Sequence, residues 1–144
     1  MNKRLDLKQQ EPEAYNIMLS FEKYLGKIDL TEGHKNLIKI RASQLNGCSY
    51  CIDMHTKEAR AVGETEQRLY LIGAWRDTSF FTEKEQAILA VTEEVTFIHH
   101  RLSDATYERA AKALGEKYLA QVMMAIIVIN SWNRIGVATE MRPE

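Results

Sequence analysis

The sequence predicts an all-α protein, a bundle of six or seven helices forming one domain over residues 1–144. Three observations carry that prediction. Only 2 prolines and 7 glycines occur, and the glycines sit mostly where helical patterns stop. Apolar side chains recur at spacings of three and four along most of the chain, the period of a helix face. One segment alone, Val122 to Ile129, has the composition of a buried strand, and a lone strand leaves its backbone hydrogen bonds unmet.

Pro12 suits the first turn of a helix, and Ala14, Ile17, Met18, Phe21 and Leu25 follow at helical spacing, with Gly26 just past the end. From Thr31 a second helix runs through Leu37, Ile38, Ala42 and Leu45. It breaks at Asn46-Gly47, a pair suited to the left-handed backbone that ends helices. Cys48 therefore begins a third helix, which reaches Val62 and stops at Gly63, and Thr65 caps a shorter fourth ending near Trp75. Thr82-Glu83-Lys84-Glu85 has the form of a capping box, followed by the stripe Ile88, Val91, Val95 and Ile98. Ser103 or Asp104 caps the next helix, whose buried stripe is Tyr107, Ala110, Ala111 and Leu114, closed by Gly115. The last helix is apolar all round from Val122 to Ile129, which places it at the centre of a bundle or at a subunit interface. Met18, Met123 and Met124 read as core filler.

Composition excludes several functions. With 19 basic and 20 acidic residues the net charge is −1, so nothing offers nucleic acid a basic field. The first ten residues are charged and lack the apolar core of a secretory signal. The longest apolar run has 8 residues, far below the roughly 20 that span a bilayer. The expectation is a cytoplasmic protein without a membrane partner. In a reducing compartment a C-x-x-C pair is more often catalytic, redox-sensing or metal-binding than a permanent disulfide.

The chemistry concentrates in Cys48-Ser49-Tyr50-Cys51-Ile52-Asp53-Met54-His55, which holds both cysteines of the chain. At about 100° per residue, Cys51 lies about 60° around the helix from Cys48 and His55 about 20° from it, so both sulfurs and the imidazole share a stripe. Cα atoms at i and i+3 are close enough for a disulfide to open and close. Such a short loop constrains little of the unfolded chain, so a chemical role is favoured over a staple. The positive end of the helix dipole favours thiolates in the first turn, and His55 can take the thiol proton near neutral pH. A thiolate that attacks a peroxide becomes a sulfenic acid, which its neighbour condenses to a disulfide.

With these residues in view, the sequence resembles the AhpD-like alkyl hydroperoxidases of the carboxymuconolactone decarboxylase superfamily. Arg41 through His55 is similar to the family's signature helix pair, which spans about 31–62 here. The pieces around Trp75-Arg76, Phe81 to Thr96 and Asn130-Ser131-Trp132-Asn133-Arg134 resemble a short single-domain branch. The resemblance implies an AhpD-like bundle, with Cys51 peroxidatic, Cys48 resolving and His55 in the proton relay. It also implies a homo-oligomer, assembled through the apolar carboxy-terminal helix, and a thiol reductant that is lipoylated or thioredoxin-like. A hydroperoxide is the substrate, and no further cofactor is required. The chain departs from the family where the relay glutamate, 12 residues before the first cysteine, is Asn36. An amide carries no proton, so the relay ends at His55 or recruits another acid. Glu32, one turn before Asn36, is a candidate, as are Glu85, Glu93 and Glu94.

Other readings stand beside this one. Cys48, Cys51 and His55 supply three of the four ligands of a zinc site, with His34, His99 or His100 as a fourth, although three ligands on one helix depart from usual zinc geometry. His99-His100 also reads as a polar helix end. Tyr50 reads as packing, with its hydroxyl within reach of the site. Asn130, Asn133 and Arg134, beside Trp132, read as holding the last helix to a neighbour or lining an interface. Two alternative functions are a decarboxylase-like enzyme acting on lactones, against which the intact dithiol argues, and a non-catalytic redox-sensing oligomeric module.

Overall fold

The computed structural model describes residues 4–144. Eight α-helices and two 3₁₀ turns account for the fold, with no strand among the described residues. They are α1 (Leu7–Gln10), α2 (Pro12–Leu25), α3 (Glu32–Asn46), α4 (Ser49–Ala61), α5 (Glu66–Leu71), α6 (Glu83–Thr96), α7 (Asp104–Leu114) and α8 (Glu116–Ala138). Seven of these match the helices expected from sequence. The additional one, α1, is a single turn that forms because the Asp6 carboxylate accepts the backbone N–H groups of Lys8 and Gln9.

Local signals act as expected at most boundaries. Thr31, Thr65, Thr82 and Ser103 each cap a helix through a side-chain oxygen. Thr82 and Glu85 complete both halves of the capping box. Gly47 is left-handed, at φ 65° and ψ 30°, so the α3 break has the predicted geometry. Gly26 differs: it keeps right-handed geometry at φ −70°, so α2 ends without a left-handed turn. The expected fourth helix divides into α5 and a 3₁₀ turn over Ile72–Asp77, which is itself kinked where Ala74 leaves helical geometry.

Helix α3 lies at the centre, packed against α4, α6 and α8, while α6 also supports α7 and α8. The larger core joins Ile38 and Ala42 of α3, Ile88 and Val91 of α6, and Val122, Ile126 and Ile129 of α8. A second cluster gathers Leu37 and Ile40 around Leu69, Ile72, Trp75 and Phe81. The strand-like segment is therefore the buried centre of a 23-residue helix, with Ile127 its exposed residue. Gly115, at φ 79°, lets the chain turn by 119° between α7 and α8.

Five positions of the expected apolar stripes face solvent, Ala14 among them. Ile17 and Phe21 are exposed because α2 packs on the bundle chiefly through Leu25, Tyr15 and Met18. Tyr107 is exposed because only Ala110 of α7 is fully covered. Ile98 is exposed because α6 stops at Thr96. No single helix among the described residues is long and apolar enough to cross a membrane.

Candidate active site

The left-handed turn at Gly47 reverses the chain so that Cys48, in extended geometry, becomes the N-cap of α4. Its Sγ accepts the Cys51 backbone N–H at 3.3 Å, the role a serine or aspartate oxygen usually takes. The two sulfurs are bonded to each other, with Cα atoms 5.3 Å apart. Both cysteines are buried.

An amide network fixes this corner to α8. Asn46 Nδ2 donates to Asn130 Oδ1 and Asn133 Oδ1, each at 3.0 Å, and Asn133 Nδ2 donates to Ser43 Oγ at 2.9 Å. Asn130 Nδ2 donates in turn to Thr96 Oγ1 and the Ile126 carbonyl. Arg134 donates back to Asn130 from the exposed side. Asn130 and Asn133 therefore clasp helices of one chain together. Trp132 docks on α2, with its Nε1 donating to Glu22 and its ring edge-on to Tyr15.

Gly136 lies against the dithiol from α8. A Cβ there would come within 3.0 Å of Cys48 Sγ and 3.5 Å of Cys51 Sγ. In Gly136→Val the γ-carbons have no room beside the sulfurs, so a loss of about 2 kcal/mol is expected from overpacking. Urea unfolding of the disulfide form, wild type against variant, measures it.

His55 is buried one turn after Cys51, and its Nδ1 lies 2.8 Å from Glu58 Oε2. A carboxylate only accepts, so Nδ1 carries the hydrogen and Nε2 keeps the lone pair of a base. Burial holds the imidazole below its ordinary pKa, with the Glu58 hydrogen bond opposing that shift. His34 is likewise lowered by burial, its Nδ1 2.6 Å from the Tyr118 hydroxyl. Both folded values lie below the ordinary 6.5, so the unfolded chain binds more protons once the pH falls past that point. The stability these rings contribute is present above pH 6.5 and lost as the pH falls toward their folded values. A lower urea midpoint at pH 5.5 than at pH 7.5 is the expected result.

A cavity of about 940 Å³ opens beside the dithiol. Tyr50, Cys51, Met54, His55 and Glu58 line it from α4, with Trp132, Ile135 and Gly136 from α8. Glu22 and Lys39, paired at 3.4 Å, lie on its wall. Residues 4–8 and 139–144 form its outer side, joined where Arg4 binds the Ala138 carbonyl and Glu140. Cys51 lines this space. Cys48 does not, lying against Gly136.

The structure brings Cys48, Cys51 and His55 together and leaves the other sequence-level relay candidates away from the cavity lining. Asn36 is buried on α3. Glu32 is exposed and pairs with Lys35. Glu85 serves the capping box and binds Arg68. Glu93 accepts from Arg41, Trp75 and Arg76, and Glu94 accepts from Ser103 and Thr106. His99 and His100 stack at an exposed turn. Among the described residues no three His, Cys, Asp or Glu side chains gather as a metal group. Sequence reasoning missed Glu58 and Gly136. The first was visible as an acid at i+3 from His55, the second as a glycine inside an apolar helix.

Fold and site together define an all-α protein whose central helix pair carries the Cys48–Cys51 disulfide with a histidine one turn on. The carboxymuconolactone decarboxylase family model matches residues 12–94, and the chain belongs to that family. A relative in Bacillus subtilis (strain 168), the uncharacterized protein YdfG, is 41% identical over 139 residues, covering 96% of this chain and 95% of that one. A crystal structure from Agrobacterium tumefaciens, of a protein of unknown function suggested to be the antioxidant defence protein AhpD, superposes with a TM-score of 0.95 at 34% identity. That match covers 99% of both chains, so the architecture is the AhpD-like fold. The debrominase Bmp8, at 18% identity and a TM-score of 0.85 over 94% of this chain and 74% of that one, shares the fold alone.

Proposed function

We propose that this protein is a dithiol peroxidase that reduces organic hydroperoxides. The observation that carries the reading is the placement of Cys51 on the cavity beside His55, with Cys48 bonded behind it. In the reduced protein His55 Nε2 takes the Cys51 proton, and the thiolate attacks the terminal peroxide oxygen. The S–O bond forms as O–O breaks, and the alkoxide receives the proton from His55 and leaves as an alcohol. The Cys48 thiol then displaces water from the Cys51 sulfenic acid, giving the disulfide. An external dithiol, lipoylated or thioredoxin-like, reduces it by attacking the accessible Cys51 sulfur, and Cys48 leaves as a thiolate held by the Cys51 N–H.

The cavity favours an organic substrate over hydrogen peroxide. Its volume lies in the range of small-molecule sites, and Leu5, Leu19, Met54 and Ile135 give it apolar walls. One equivalent of cumene hydroperoxide added to the reduced protein is expected to consume both thiols and yield one intramolecular disulfide, faster than the same amount of hydrogen peroxide. Thiols left intact in the folded protein would overturn the proposal.

A further inference from the structure

We infer that Glu58 of α4 is the positioning residue of the proton relay, orienting His55 without itself carrying the proton that Asn36 cannot carry. This rests on the dithiol peroxidase reading for its purpose, and on geometry for its substance. Glu58 Oε2 is 2.8 Å from His55 Nδ1, and both residues line the cavity that Cys51 lines. Of the four carboxylates named from sequence, none lines that cavity. The spacing is i, i+3 on one helix, so the contact is set by α4 itself and does not depend on how helices dock.

The bond does two things. It holds the hydrogen on Nδ1, so Nε2 is the basic nitrogen, and it holds the ring in one orientation. When Nε2 accepts the Cys51 proton, the imidazolium forms beside a carboxylate, which stabilises it. The proton returns from Nε2 to the departing alkoxide, so Glu58 gains and loses none. A thiolate–imidazolium pair stabilised in this way forms at lower pH than one without the carboxylate.

Other charges act on the same ring. Lys39 of α3 opposes the imidazolium, and Glu22 of α2, paired with Lys39, supports it. From the outer wall Arg4, Asp6, Lys8, Glu140, Arg142 and Glu144 line the same space with mixed sign. Burial lowers the His55 pKa, and the Glu58 bond raises it. Loss of the Glu58 carboxylate therefore lowers the His55 pKa further and raises the apparent pKa of Cys51. Glu58 is about half exposed, so solvent screens the effect to a modest size.

The test is the pH profile of iodoacetamide alkylation at Cys51 in the reduced full-length protein, with Glu58→Gln, Glu58→Leu and Asp53→Asn as variants. Glu58→Gln keeps an oxygen that accepts from Nδ1, whereas Glu58→Leu keeps neither acceptor nor charge. Asp53 pairs with Lys57 on the same helix and does not line the cavity. At pH 7 the expected alkylation rate falls about threefold in Glu58→Gln and about tenfold in Glu58→Leu, with midpoints moved to higher pH and Asp53→Asn unchanged. An NMR titration of His55 should show its midpoint falling in Glu58→Gln. Unmoved profiles in both Glu58 variants, or an equal shift in Asp53→Asn, would overturn the inference. Alkylation uses no peroxide, so failure of wild-type peroxide oxidation would count against the peroxidase reading alone.

Discussion

Cys51→Ser is expected to abolish catalytic hydroperoxide reduction, lowering kcat/KM by at least about a thousandfold, while Cys48→Ser completes one attack and stalls. The difference follows from position. Cys51 borders the cavity with His55, whereas Cys48 caps α4 behind it, against Gly136. A serine hydroxyl does not attack an O–O bond at neutral pH, and the sulfur that remains is shielded from substrate. In Cys48→Ser the nucleophile survives, but no thiol resolves the sulfenic acid. Intact mass after one equivalent of cumene hydroperoxide should show an added oxygen in Cys48→Ser and unmodified protein in Cys51→Ser. The opposite pattern would exchange the roles of the two cysteines. Serine also keeps a capping oxygen at position 48, so α4 retains its N-terminus and the comparison reads chemistry rather than folding.

Helix boundaries were legible in the sequence where a short-range device sets them. Thr31, Thr82 and Ser103 act through a side-chain oxygen on the N–H three residues on, Gly47 and Gly115 through their own backbone, and each ends or begins an element as expected. Burial was harder to read, because it depends on what packs where. The stripe on α2 has helical spacing, yet Ile17 and Phe21 stay exposed, since α2 lies at the edge of the bundle. Periodicity locates a face, and only the tertiary arrangement covers it.

The site divides in the same way. Cys51 and His55 share a face of α4 and Cys48 caps its N-terminus, so their proximity follows from spacing. The cavity does not, because its walls come from α2, α3, α4, α8 and both ends of the described chain. Gly136 meets Cys48 across 88 positions of sequence, a contact no local pattern encodes. The proton's route needed structure for a different reason. A family pattern directs attention to position 36, whereas the acid that touches His55 is Glu58, on the same helix as the thiols.

Glu93→Ala is expected to be the most destabilising single carboxylate substitution, costing about 3 kcal/mol and lowering Tm by about 10 °C. Glu93 is nearly buried and accepts from Arg41 Nε at 2.8 Å, Trp75 Nε1 at 2.9 Å and Arg76. It thereby ties α3 and the 3₁₀ turn to α6 at one point. Alanine leaves the buried indole N–H and the partly buried Arg41 guanidinium without this acceptor, and leaving such groups unpaired costs more than their bonds return when made. Burial pushes the Glu93 carboxyl pKa up, but its three donors outweigh this and hold it below the ordinary 4.5. Its folded pKa is depressed, so its contribution is present above pH 4.5 and is lost as the pH falls through the folded value. The gap between wild type and Glu93→Ala should therefore narrow in acid, as urea unfolding at pH 7 and pH 4 would show. Glu93→Gln should fall between them, because its amide oxygen still accepts while the charge is gone. A Glu93→Ala protein as stable as wild type at pH 7 would mean that water replaces the carboxylate at no cost, and the junction of α3 with α6 would then rest on its apolar contacts alone.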